Sequence, residues 1–166
     1  MSETKTTAAQ LEIRVDDGSM RVPIRNMHGD EIGVFYFRPT DVGIIERYND
    51  MIPEIDKITE PLETMSLTPD GEAADGSTDE EVAALKEARE RLYAALNKMF
   101  GADMASAFFA HQSPFAPVNG KFYLEHAIDA VGAFIEQQFS IETAKMSDKV
   151  QGYVGKYTPK KRGGKR

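Results

Sequence analysis

Three histidines are the first residues that could do chemistry. His126 stands beside Glu125 and three residues before Asp129. On a helix that spacing puts an imidazole and a carboxylate on one face, two of the ligands a metal ion needs. A complete site needs more, and neither His28 nor His111 brings a partner at ligand spacing. The constellation therefore reads as a polar helix face with a partly exposed histidine, with no metal and no cofactor. His111 and Ser113 raise the question of nucleophilic catalysis, but no strand–turn–helix elbow surrounds Ser113 and Pro114 follows it. Asn119-Gly120-Lys121 lacks the Gly-rich loop and the Ser/Thr of a phosphate cradle, and Gly152 and Gly155 have no flanking strand and helix. Glu80, Glu81, Glu87 and Glu90 follow helix-surface spacing better than an acid–base pair. No catalytic residue is assigned, and the reading is non-enzymatic.

The elements that position these residues are legible in the periodicity. Leu11, Ile13 and Val15 alternate with Glu12 and Arg14, Met20–Arg25 alternates again, and Ile32–Phe37 is β-branched and aromatic. Turns at Asp16-Asp17-Gly18 and His28-Gly29-Asp30 join them into an expected three-stranded antiparallel meander, with Pro23 marking an edge. After Pro39 the period becomes helical. Thr40 is the expected N-cap, and Ile44, Ile45, Tyr48, Met51, Ile52 and Ile55 form the stripe, with Pro53 and Pro61 kinking or segmenting the helix. Residues 66–78 read as a flexible acidic loop.

Ser77–Glu80 and Thr78–Glu81 are overlapping capping boxes before a helix whose face carries Val82, Leu85, Leu92, Leu96 and Met99, with Gly101 as its stop. Asp103 caps a short apolar helix, Met104–Ala110. The stretch 112–120 is broken by prolines and by Asn119-Gly120, and Lys121–Phe139 is helical again, with 140–150 as a weaker extension.

The fold class expected is α+β and α-rich, a small N-terminal antiparallel meander packed on three or four helices. Residues 1–10 are expected to be disordered, 11–150 to form one domain, and 151–166 to be a flexible basic tail. The 166 residues suit a single domain, and the absence of cysteine excludes disulfides and thiol chemistry. No run approaches the length of a membrane span, and the polar start has no signal-peptide pattern. The expected setting is cytoplasmic.

The net charge of −7 divides unevenly. After Asp148 come seven bases and no acid, so residues 1–148 carry 13 bases against 27 acids. The basic tail reads first as unbound and solvated, and second as a contact of Lys160, Lys161, Arg162, Lys165 and Arg166 with an acidic protein surface, including another copy of the chain. Nucleic acid ranks below protein as their partner. The aromatic group Phe108, Phe109, Phe115, Phe122 and Tyr123 reads mostly as ordinary core, and Phe108, Phe109 and Phe115 become candidate protein contacts if the Pro-broken loop holds Phe115 outside.

Phe35-Tyr36-Phe37-Arg38-Pro39-Thr40-Asp41-Val42-Gly43-Ile44-Ile45-Glu46-Arg47-Tyr48 resembles the front half of tail assembly chaperones of long-tailed phages and related prophages of Gram-positive bacteria. In those proteins a short meander leads through a Pro-Thr-Asp-like cap into a helix bearing an Arg-aromatic pair, here Arg47-Tyr48. The similarity is clearest over residues 30–50 and architectural elsewhere. It implies a non-enzymatic protein of the infected cell's cytoplasm that coats the tape measure protein, recruits tail tube subunits and self-associates. It also implies a longer frameshifted form, with Gly164-Lys165 compatible with a slippery coding run. A structural virion protein is the alternative, and a nucleic-acid-binding accessory protein comes third.

Overall fold

A computed structural model describes residues 11–157, with side chains described through Lys149. The architecture is helix-rich α+β. Strands β1 (Met20–Arg25) and β2 (Glu31–Phe37) form an antiparallel ribbon that pairs Val22 with Phe35 and Pro23 with Val34. Helices α1 (Gly43–Glu63), α2 (Asp79–Phe100) and α3 (Met104–Phe109) follow. A two-residue-per-strand hairpin, β3 (Pro117–Val118) and β4 (Lys121–Phe122), then leads into α4 (Tyr123–Tyr157). Among the described residues no helix is long and apolar enough to cross a membrane.

The ribbon has two strands where three were expected. Leu11–Val15 is not paired, and Leu11, Ile13 and Val15 are exposed. A hairpin closed by residues 16–19 would set Arg14 opposite Arg21 and Glu12 opposite Pro23. The first pair repels, which disfavours that ladder, and Pro23 would leave it one N–H short. Gly18 and Ser19 instead donate to the carboxylates of Asp16 and Asp17.

β2 explains the sheet's attachment to the helices. Phe35 and Phe37 face inward and are buried, while Tyr36 between them is exposed, the period of two expected of a half-buried strand. Gly33 shares the inner face, and a Cβ there would lie 2.1 Å from the Ala107 carbonyl oxygen, so α3 rests directly on the strand backbone. Phe35 meets Phe100 edge-on at 6.1 Å and Phe37 reaches Phe134 at 6.0 Å. The core is thus continuous from the ribbon through α2 and α3 to α4.

α1 is one helix despite its prolines. Pro53 and Pro61 are both on the exposed side, so the carbonyls of Asn49 and Lys57, deprived of their N–H partners, face water. Its buried residues Ile44, Ile55, Ile58 and Leu62 pack on α2, which contributes Leu85, Leu92, Leu96 and Met99. Each such burial stabilises by about 1.5–3 kcal/mol. α2 uses the later of the two capping boxes, with Thr78 Oγ1 accepting from the Glu81 N–H at 3.2 Å, and it ends at Gly101 in the left-handed conformation (φ 63°). Val82, expected on the core face, is half exposed because it lies in the first turn beyond the reach of α1.

The 66–78 loop carries more internal bonding than its composition implies. Leu67 bridges Ala73, Thr68 N–H donates to Glu72 O at 2.8 Å, and Gly71 is buried against Phe115 and Ala116. α4 is longer than expected, running through Gly152 and Gly155 to Tyr157. Leu124, Ala127, Val131 and Ile135 anchor its first half, whereas every side chain from Ser140 to Lys149 is exposed. The helix therefore continues past the buried core, with Glu142 bordering the 16–20 turn.

Candidate interaction surfaces

The residues that could have formed a metal or catalytic site have other partners. His126 Nε2 lies 2.7 Å from the Val118 carbonyl, Glu125 accepts the Phe122 N–H at 2.9 Å, and Asp129 pairs with Lys121 at 3.5 Å. These bonds tie α4 to the β3–β4 hairpin that precedes it. Ser113 Oγ accepts from Phe115 N–H and donates to Gly71 O at 3.4 Å, so its hydroxyl fixes the loop instead of meeting His111, which is exposed. No cluster of three or more metal-ligating side chains occurs among the described residues.

His111 borders a polar cleft of about 560 Å³ between α2, the 66–78 loop and the segment after α3, together with Glu72, Arg89, Tyr93 and Ser113. Arg89 crosses it to pair with Glu72 at 3.0 Å, and its Nε is buried without a hydrogen-bond partner among the described residues. Tyr93 stacks on Phe109 at 5.7 Å, and burial pushes its phenol above the ordinary range. The cleft's polar groups thus knit the loop to α2.

The strand-to-helix junction is built around Arg47. Its Nη2 donates to Asp41 Oδ2 at 2.9 Å and its Nε to the Met99 carbonyl at 3.0 Å. One guanidinium thereby joins the start of α1 to the last turn of α2, where unpaired carbonyls and the negative end of the helix dipole favour a cation. The N-cap position is Val42, which has no side-chain acceptor, and Asp41 just before it serves instead, its Oδ1 accepting the Gly43 N–H at 2.9 Å. The expected cap, Thr40, is displaced because the helix begins at Gly43 and only Asp41 reaches both its backbone and Arg47. The Arg47 hydrogen bond, then that of Gly43, holds the Asp41 carboxyl below the usual carboxylate range.

The same segment presents an apolar row outward. Val42 is 73 %, Ile45 57 % and Tyr48 42 % exposed, at intervals of three along the first turns of α1. Between them Ile44 is buried and Arg47 is turned to α2. On a helix, residues three apart are neighbours, so the row is one continuous strip. Farther along, Ile141 and Met146 are exposed on the free half of α4.

The aromatic candidates follow the core reading, and the condition for their surface role is not met. Phe109 is buried and Phe115 is fully enclosed, so neither is available as a surface. Pro114 and Phe115 turn inward because the carbonyls of Pro114 and Ala116 accept the first N–H groups of α4, from Leu124 at 2.9 Å and Tyr123 at 2.8 Å. Those donors would otherwise be orphaned, and satisfying them draws the loop onto the core. Phe108 is half-buried and lines an apolar groove of about 200 Å³ with Val22, Ile24, Val131 and Phe134. Lys160, Lys161, Arg162, Lys165 and Arg166 lie outside the described residues, as do residues 1–10. Comparison of the chain with family models, curated proteins and solved structures returns no match.

Proposed function

We infer that the chain is a non-enzymatic assembly chaperone of phage tails that binds the tape measure protein and helps recruit tail tube subunits. The observation that carries this reading is the division of labour within the motif that bears the resemblance. Asp41, Gly43 and Arg47 lock the helix to the body, while Val42, Ile45 and Tyr48 are left apolar and exposed. A long helical client is recognised through many modest apolar contacts, and an exposed strip on a rigidly held helix suits that task. Ile141 and Met146 on the free turns of α4 add a second helical surface. The excess of acids in residues 1–148 keeps such an apolar assembly dispersed by charge repulsion. The cytoplasm of an infected cell is the compartment this role requires.

Co-expression with a tape measure protein tests the reading: a complex that co-purifies supports it, and a tape measure that remains insoluble and unbound counts against it. The same apolar strip would serve a permanent tail or connector subunit. Finding the chain in mature particles favours that alternative, and finding it only in infected-cell lysate favours the chaperone.

A further inference from the structure

Leu11–Val15 has the alternation of a half-buried strand, yet its apolar side chains are exposed and its backbone has no strand partner. The β1–β2 ribbon has the complementary deficit. Among the described residues β1 is bonded to β2 on one side, and beside its other edge lies the apolar groove formed by Val22, Ile24, Phe108, Val131 and Phe134. An open edge next to an apolar groove is the geometry in which an extended segment adds as a further strand.

We propose that Leu11–Val15 of a second copy of this chain pairs antiparallel with β1 and fills that groove. Setting Ile13 opposite Ile24 puts Val15 opposite Val22, both on the sheet's inner face, where the groove has room for a pair of branched aliphatic side chains. On the outer face this register puts Glu12 beside Arg25 and Arg14 beside Pro23, replacing the Arg14–Arg21 repulsion of the short hairpin within one chain. Arg25 is exposed and donates to Gly29 O, leaving its guanidinium open to a carboxylate. Pro23 has no N–H to offer, which limits the added ladder to a few bonds and makes the exchange reversible. Each copy has one donor segment and one acceptor edge, so the contact closes a dimer by reciprocal exchange or propagates head to tail. The inference is independent of the tape measure reading.

The absence of cysteine gives a clean background for a cross-linking test. Ile13→Cys and Ile24→Cys chains, purified separately and mixed under mild oxidation, are expected to give a disulfide-linked heterodimer joining positions 13 and 24. A yield no greater than from Ile13→Cys with Met27→Cys, an exposed control position, overturns the proposal. So does a chain carrying both Ile13→Cys and Ile24→Cys that closes only as a monomer, since the strand then pairs within its own chain. In sedimentation at high protein concentration and high salt, which screens charge-driven association, the wild type is expected at twice the monomer mass or more, and Ile13→Asp at the monomer mass. Because Ile13 is exposed, Ile13→Asp leaves the fold intact, and an unchanged mass distribution refutes the exchange.

Discussion

Arg47 Nε donates to the Met99 carbonyl at 3.0 Å across 52 positions of sequence, while the same guanidinium holds Asp41 at 2.9 Å. This clasp ties the end of the ribbon to both long antiparallel helices, and it fixes the orientation of the first turns of α1. The apolar strip of Val42, Ile45 and Tyr48 inherits its rigidity from it.

Removing the clasp is expected to destabilise without unfolding. Hydrogen bonds to a charged group contribute about 1.5–3 kcal/mol, and for a domain of this size that is a fall in Tm of roughly 4–10 °C. Arg47→Ala should show it by calorimetry. Arg47→Lys should recover little, because one ammonium cannot reproduce the planar placement of Nε and Nη2 on two acceptors.

Asp41 makes part of that stability dependent on pH. Its folded carboxyl is held below the usual range, so its contribution is fully present above the unfolded pKa of about 4 and is lost as pH falls through the lower folded value. Urea midpoints of wild type and Asp41→Asn should therefore differ most at neutral pH and converge in acid. A constant difference from pH 7 to pH 3 would contradict the assignment.

Gly33 and Gly71 are close-approach positions. A Cβ on Gly33 meets the Ala107 carbonyl carbon at 3.2 Å and its oxygen closer still, and Gly33→Ala should cost about 1–3 kcal/mol in urea unfolding. Gly71 has φ +77° and a Cβ there would sit 2.4 Å from Ala116 N. Gly71→Ala should release the 66–78 loop from Ser113, seen as faster amide exchange at Thr68 and Ala74 with α2 unchanged.

The basic residues beyond 157 are proposed to dock on the acidic body of another copy. Full-length chain should then show a component of self-association that weakens from low to high salt, and a chain ending at Gln151 should lack that component. Equal salt dependence in the two chains would remove the proposal. Salt-dependent binding of the full chain to duplex DNA would move the nucleic-acid alternative ahead of it.

How much was legible in the sequence depended on how local the decision was. Thr78, Gly101 and Asp103 were readable because a cap is satisfied within three or four residues, and all three sit where their side chains or φ require. The strand at 11–15 was misread because alternation reports competence to pair and says nothing of a partner. Thr40 lost to Asp41 because the deciding group, Arg47, is six residues beyond Asp41 and is itself committed to Met99. The core reading of the aromatic group holds for Phe115, but what fixes it there, the N–H groups of Tyr123 and Leu124 taken up by its loop, was not visible in the sequence. Gly33 did carry a signal, since an isolated glycine inside a strand marks close backbone approach. α4 passes Gly152 and Gly155 because each glycine costs only about 1 kcal/mol in a helix, too little to end one already nucleated.

The most direct test is co-purification of a tagged tape measure protein with wild-type chain, with the Ile45→Asp, Tyr48→Asp double variant, and with Met27→Asp as an exposed control of like charge. Wild type and Met27→Asp should be retained, and the double variant should be lost at least tenfold while keeping its far-ultraviolet spectrum. Retention of the double variant at the wild-type level would contradict the assignment of that strip as the client surface, and failure of the wild type itself to bind would contradict the function proposed here.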